Sequence, residues 1–432
     1  GSFATLSTTE GLSHNFVRGA HEGPSGALWV PTYGGGLNKI ERGVITTYHV
    51  RDGLPSEILF SAFEGRDGTV WAGTDKGLFR MRPAGRRFER LVGPPELNAG
   101  AVRVLYEDRA GALWASGYVG GLYRIAAEGR IDVFRVENGL NSNAIRGGMV
   151  EPGDGSMIIG TDSGLCRYKD GKFAPLGMRE GLTDAVMALK LDPDGTIWVG
   201  TTSSGLYRLK NGRLTHFTAG QHGLFDDMIF SILEDDAGGI WTSSNRGIAR
   251  VLKSELEAVA EGRLARVNAQ SFGRADGLKD NECNGGTNPC AWRSRNGRLW
   301  FASAGGLVSI DPRELRQSAV FPHVVVESVV VNKQSVSPRV SADIPPGKGE
   351  LQIDYTAPTF VAPEKVSFRY RLEGFDGDWV DAGLRRSAFY TNLPPGTYRF
   401  VVEASNRLGR WGGTATAFEF RLRPHFHQTI WF

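Results

Sequence analysis

The sequence predicts an all-β chain, a seven-bladed β-propeller followed by an immunoglobulin-like β-sandwich. Three observations lead there. Glycine supplies 58 of 432 residues and tryptophan 10, with no collagen period, which points to short aromatic-packed strands joined by tight turns. Three markers recur in phase about every 42 residues, seven times over. After Pro312 the repeat stops and a run of alternating, β-branched segments begins.

The first marker is a turn glycine followed three residues later by a large apolar residue. It appears as Gly26/Trp29, Gly68/Trp71, Gly111/Trp114, Gly155/Ile158, Gly195/Trp198, Gly238/Trp241 and Gly297/Trp300. The second is a Gly-aliphatic pair: Gly36-Leu37, Gly77-Leu78, Gly121-Leu122, Gly164-Leu165, Gly205-Leu206, Gly247-Ile248 and Gly306-Leu307. The third precedes each unit, from Gly11-Leu12 and Gly53-Leu54 through Glu96-Leu97 to Gly277-Leu278. A period of this length holds four strands of about six residues and four turns, the content of one propeller blade. Within one unit the strands are expected at Val186–Leu191, Thr196–Gly200, Leu206–Leu209 and Arg213–Thr218. Each Trp is expected on a second strand, packed between neighbouring blades.

The seventh unit has only three strands of its own, ending at Leu307–Ile310. Phe3–Ser7 stands before Gly11-Leu12 as Val44–Tyr48 stands before Gly53-Leu54, so it is expected to close the ring as the outer strand of blade 7. The extra length before blade 7 lies around Lys253–Arg266 and reads as a short helix after the third strand of blade 6, with Ser254 as its cap. The expected division is 3–318 for the propeller, 319–423 for the sandwich and 424–432 for a juxtamembrane segment. Sandwich strands are expected near Val324–Val331, Glu350–Thr356, Val366–Leu372, Ala388–Asn392, Thr397–Ala404 and Ala415–Leu422. Tyr370, Trp379, Tyr390 and Tyr398 are read as core aromatics, and the turn Pro394-Pro395-Gly396 leads into a strand with an aromatic available for a corner. The aromatic cluster around Trp431-Phe432 reads as an interfacial belt, with a transmembrane helix expected after Phe432.

Residues 181–201, from Gly181-Leu182-Thr183-Asp184 through Asp194-Gly195-Thr196-Ile197-Trp198, resemble the two-component regulator propeller repeat. The stretch from Phe368-Arg369-Tyr370 through Pro394-Pro395-Gly396-Thr397-Tyr398 resembles the Y_Y_Y domain that follows such propellers, and Glu282-Cys283-Asn284-Gly285-Gly286-Thr287-Asn288-Pro289 is similar to their last blade. The resemblance implies the periplasmic input half of an inner-membrane receptor, with a histidine kinase or a diguanylate cyclase as output. Blade 4 departs from the pattern with Ile158 for Trp, and blade 3 with Glu96 for Gly.

Charge is nearly balanced, 50 basic against 47 acidic side chains, so nothing in the net charge calls for a nucleic-acid partner. No phosphate loop, nucleophile elbow or His-Glu-x-x-His motif occurs, and no cofactor is expected. His425 and His427 read as surface residues. Cys166 reads as a buried strand residue. Cys283 and Cys290 are candidates for a small disulfide loop in an oxidising compartment, unless an extended strand holds them apart.

The loops before each inner strand and those between second and third strands share one propeller face, around the channel mouth. On that face lie His14, Asn15, Tyr33, Tyr118, Asn141, Asn143, Phe225, Asp226, Asn245, Arg246, Asn281 and Asn284. Amides and aromatics with few uncompensated charges suit a neutral polyol or saccharide, while Asn and Asp in tight turns also serve their own backbone. The leading expectation is a sensor whose partner is a small molecule, a saccharide or a periplasmic protein, homodimeric in the full receptor. An assembly scaffold and a propeller lyase or glycosidase are the alternatives. A ligand-sized pocket on the loop face favours the sensor, and a carboxylate pair in the channel the enzyme.

Overall fold

The computed structural model describes residues 3–117, 119–317, 321–337, 342–358, 366–406 and 411–424. The chain divides into two compact units, at Pro312/Arg313. In the first, seven four-stranded antiparallel sheets follow one another, the first six each in chain order from inner to outer strand. Blade 5 is typical: Val186–Leu191, Ile197–Thr201, Leu206–Lys210 and Arg213–Phe217. The ring closes as expected. Phe3–Leu6 is the outer strand of blade 7 and runs antiparallel to Gly306–Ile310, with Phe3 opposite Ile310 and Leu6 opposite Leu307.

The repeat markers have a physical reason. At Gly205 φ is +81°, and a Cβ there would lie 2.3 Å from the carbonyl oxygen of Phe217 on the outer strand. Gly36, Gly121, Gly247 and Gly306 meet the corresponding carbonyl at 2.2–2.4 Å. Only glycine combines that φ with that approach. The tryptophans fill the space between blades: Trp198 of blade 5 packs against Ile229, Ile232 and Ile240 of blade 6, fully buried. Its indole N–H donates to Asp192 at 2.8 Å, as Trp114 does to Asp108 and Trp241 to Asp235. Each carboxylate thus satisfies a buried donor that would otherwise cost about 1–3 kcal/mol.

The blade 6 insertion is helical over Lys253–Ala260, but Ser254 is not its cap. The third strand runs straight into the helix, Leu252 holds the cap position without a side-chain bond, and Ser254 lies within the first turn. Leu256 anchors the helix in the core instead.

The second unit is a sandwich. One sheet orders Gln334–Val336, Val325–Val331, Leu351–Thr356 and Ser387–Tyr390; the other orders Ala342–Ile344, Thr416–Leu422, Gly396–Ala404, Phe368–Glu373 and Val380–Gly383. Strand alternation supplies the core between them: Leu351, Ile353 and Tyr355 face inward from one sheet, Phe368, Tyr370 and Leu372 from the other. Tyr398 makes the corner, donating its hydroxyl to the Pro394 carbonyl at 2.6 Å. Trp379 lies outside this core cluster; Arg369 and Arg371 cover its ring at 4.7 and 5.3 Å. Residues 425–432, including His425, His427 and the aromatic cluster, lie outside the described residues. Among the described residues no helix is long and apolar enough to cross a membrane.

Candidate functional site

Most of the amides expected at the loop face are used by the fold. Asn15 Oδ1 accepts the Thr8 amide at 2.8 Å, Asn143 Oδ1 that of Val136 at 2.9 Å, and Asn281 Oδ1 that of Arg274 at 2.8 Å. Glu57 and Asp227 do the same for Val50 and Ala219. These side chains clamp the end of one outer strand to the start of the next blade. Asn141 donates to the carbonyls of Ser163 and Leu165, and the buried Asn284 to that of Val17. Asp226 accepts from the Met228 amide and His14 Nδ1 from the Phe16 amide. Asn245 reaches the Met228 sulfur, and Arg246 lies over the Phe225 ring at 4.8 Å. Tyr118 lies outside the described residues. Apart from Tyr33 and Asn284, the expected residues that are described therefore serve turns around the rim, not a pooled amide site.

What gathers at the channel is a different set. A buried aliphatic residue opens or shortly precedes each of the first six inner strands: Val17, Leu59, Val102, Ile145, Val186 and Ile229. The residue that follows is Arg18, Phe60, Arg103, Arg146, Met187 or Phe230. The guanidinium carbons of Arg18 and Arg103 lie 5.5 and 4.6 Å from the Phe60 ring centroid. Tyr33 and Phe16 complete an aromatic patch there, with Tyr33 5.8 Å from both Phe16 and Phe60. Arg146 is clamped to Asp162 by two bonds of 2.7 and 2.5 Å. Burial, and then the neighbouring Arg103 charge, lowers the Arg18 pKa to about 10.

Blade 7 treats this position differently. Cys283 pairs with Ser303 where the other inner strands begin, but the regular ladder resumes only at Ala291–Arg293. Between them the chain leaves the blade and crosses to other blades. Arg18 donates to the Gly285 carbonyl at 3.2 Å, and Thr287 Oγ1 donates to the Arg18 carbonyl at 2.7 Å. Asn288 joins the inner strand of blade 3, its amide on the Arg103 carbonyl and its carbonyl on the Leu105 amide. A Cβ on Gly285 would strike Phe230 of blade 6, and one on Gly286 would touch Met187 and Arg146. Residues 284–289 thus plug the channel. This excursion also corrects the disulfide expectation. Cys283 and Cys290 are free and buried, at its two ends, with the Cys290 thiol turned to the Phe230 carbonyl at 3.1 Å. Burial pushes both thiols up to about 12, which keeps them protonated and unreactive.

Among the clefts of the described residues are two that lie away from the channel mouth. One, of about 610 Å³, lies at the other end of the channel among His21, Phe63, Tyr106 and Trp292. His21 stacks on Phe63 at 4.2 Å, and burial pushes its pKa down to about 4, so it is neutral at pH 7. The other, of about 710 Å³, lies between blades 4 and 5. It is lined by Pro152 and Ile158, which stand where blade 5 has Asp192 and Trp198. Sequence reading noted Ile158 but not its pairing with Pro152. The alignment of blades would have shown it, as it would have shown the column beginning at Arg18.

Among known families, the two-component regulator propeller model matches residues 181–203 and the Y_Y_Y domain model matches residues 359–423. A protein named Histidine kinase P4 from Formosa agariphila is 22% identical over 244 residues, which is 54% of this chain and 17% of that protein. Among solved structures, an extracellular domain assigned to a hybrid two component system of B. thetaiotaomicron is similar at a TM-score of 0.79 and 22% identity, covering 98% of this chain and 58% of that one. Virginiamycin B lyase from Staphylococcus aureus shares the propeller alone, at a TM-score of 0.52 and 14% identity over 71% of this chain and 97% of its own. The chain thus spans about a sixth of the curated relative and less than two-thirds of the first of these structures.

Proposed function

We propose that the chain is the extracytoplasmic ligand-sensing region of a membrane signalling receptor with a histidine kinase as its output. One observation carries this reading: a two-component regulator propeller repeat and a Y_Y_Y domain occur in one chain, in that order. The propeller supplies a rigid face with an aromatic and cationic channel mouth at Tyr33, Phe60, Arg18 and Arg103. Ligand binding there shifts a two-state equilibrium, and the sandwich passes the change to a membrane segment beyond it. The ligand moves that equilibrium only through its differential affinity for the two states, and a tenfold shift needs about 1.4 kcal/mol. That is the scale of one or two hydrogen bonds.

The test is a thermal-shift screen of the purified chain against sugars, polyols, organic acids and amino acids. A ligand at one hundred times its Kd adds about 2.7 kcal/mol, a rise of a few degrees at this size. The reading predicts a reproducible shift that Tyr33→Ala weakens. A shift unaffected by changes at the loop face, or none with any class of compound, contradicts small-molecule sensing at this mouth.

A further inference from the structure

We infer that the cleft between blades 4 and 5 binds a small molecule through one uncharged benzene ring, seated where the other blades hold their own tryptophan. The site is separate from the channel mouth and needs no signalling role.

Blade 5 supplies the wall on which such a ring rests. Trp198 of blade 5 packs against Ile240 and Val251, a cross-strand pair of blade 6. Trp71 of blade 2 packs in the same way against the pair Leu113 and Ile125 of blade 3. The corresponding pair in blade 5 is Ile197 and Leu209, and both line the cleft of about 710 Å³. On the blade 4 side Ile158 stands at the tryptophan position and is too short to cover them. The volume lies within the range of small-molecule sites.

The cation that accompanies the ring is in place as well. On the third strands, opposite the tryptophans, Lys39, Arg80, Arg124 and Arg250 each lie over the facing indole, at 5.7–6.0 Å. Arg167 holds that position in blade 4, opposite Ile158, and lines the cleft. It is paired with Asp154. Such a pair does not keep a guanidinium from a ring, since Arg250 covers Trp241 while bonded to Asp235 at 2.7 Å. The negative face of an aromatic ring in the cleft is therefore complementary to Arg167, whereas a saturated ring meets only the apolar walls.

The acceptors around the cleft decide which aromatic ring fits. Trp114, Trp198 and Trp241 donate their N–H to an aspartate of their own blade, and Trp29 donates to Glu64 of the next blade. For blade 4 these two positions are Pro152 and Leu191, neither with a side-chain acceptor. Asp154, on the turn, is engaged by Ser156 and Arg167. A ring N–H buried here loses its partner, a cost that benzene avoids and indole does not. The charges lining the cleft balance, Arg167 and Arg179 against Asp154 and Glu180, so nothing in it calls for a charged ligand.

The test is fluorine NMR of 4-fluorobenzyl alcohol titrated with the purified chain. Saturable binding is expected, one per chain. Benzyl alcohol should displace it about two- to fivefold more effectively than cyclohexylmethanol, and Arg167→Met should erase that preference. Indole should compete less well than benzyl alcohol, with Pro152→Asp narrowing the gap. Ile158→Trp, which puts the chain's own ring in the cleft, should weaken binding at least about tenfold. Crystals soaked in 4-bromobenzyl alcohol locate the ring independently, with the bromine anomalous peak expected between Arg167 and Ile197, and they decide the matter if Ile158→Trp fails to fold. No saturable binding, undiminished binding to folded Ile158→Trp, equal competition by cyclohexylmethanol, better competition by indole, or a bromine peak elsewhere overturns the inference.

Discussion

Blades 4 and 5 are neighbours built from the same four antiparallel strands, with one more residue in the inner-strand bulge of blade 4, yet only one of them has its tryptophan. In blade 5, Asp192 holds the Trp198 indole and the ring is fully buried against blade 6. In blade 4, Pro152 and Ile158 occupy the same positions, and a cleft of about 710 Å³ opens against blade 5. The two departures belong together. Proline offers no side-chain acceptor where blade 5 has Asp192; blade 1, with Gly23 there, keeps Trp29, whose N–H donates to Glu64 of blade 2 at 2.7 Å, whereas isoleucine in blade 4 needs no acceptor and gives up the volume. Fold and strand register survive because they rest on the glycine turns and the ladders, and the Trp–Asp pair adds inter-blade packing on top of them.

That contrast can be pressed experimentally, the strongest effect first. Trp198→Ala is expected to destabilise the chain by about 3–5 kcal/mol; Ile158→Ala should cost clearly less in the same denaturant titration, and equal losses would break the comparison. Asp192→Asn is expected to cost about 1–3 kcal/mol at pH 7. The effect depends on pH. Burial works to raise the Asp192 pKa, but bonds from Lys190 and the Trp198 N–H, with the Lys253 charge, outweigh it and bring it below the ordinary carboxylate value. A carboxylate with a depressed folded pKa contributes stability that is present above its unfolded pKa and is lost as pH falls through the folded one. Wild type should therefore lose stability below about pH 4 more steeply than Asp192→Asn in parallel melts, and parallel acid limbs would contradict the role given to this carboxylate. Gly205→Ala, which forces a Cβ to 2.3 Å from the Phe217 carbonyl at positive φ, should cost about 1–3 kcal/mol. The smallest effect is a gain: Pro152→Asp with Ile158→Trp should add about 0.5–2 kcal/mol by filling the cleft. Ile158→Trp alone should add less, so the pair should show favourable coupling in a double-mutant cycle.

The blades also explain what could be read from the sequence and what could not. Turn glycines and tryptophans were legible because backbone sterics and inter-blade packing demand the same residue at the same phase in nearly every unit, Ile158 and Glu96 being the departures. Closure by Phe3–Leu6 followed from that phase alone. The same logic applies to Asn15, Asn143 and Asn281. With Glu57 and Asp227 they recur at one position and do one structural job, so recurrence itself marks them as scaffold. Positions that change from blade to blade, such as Arg18, Phe60, Arg103 and Arg146, carry no such demand and are where binding can be built. The plug escaped notice for a different reason. Its partners are the carbonyls and amides of blades 1 and 3, about 180 residues and more away in the chain, and Cys283-to-Cys290 spacing by itself looks the same for a disulfide loop as for a crossing segment.

The central claim is that the signalling ligand binds at the loop-face mouth and its plug, not in the clefts away from it. Hydrogen exchange by mass spectrometry, on the chain alone and saturated with a compound whose thermal shift Tyr33→Ala weakens, tests this most directly. The account predicts slowed exchange in peptides holding Gly285–Asn288 and the starts of the inner strands at Arg18 and Arg103. Slowing confined to peptides around Pro152–Ser156, or around His21 and Trp292, would contradict it.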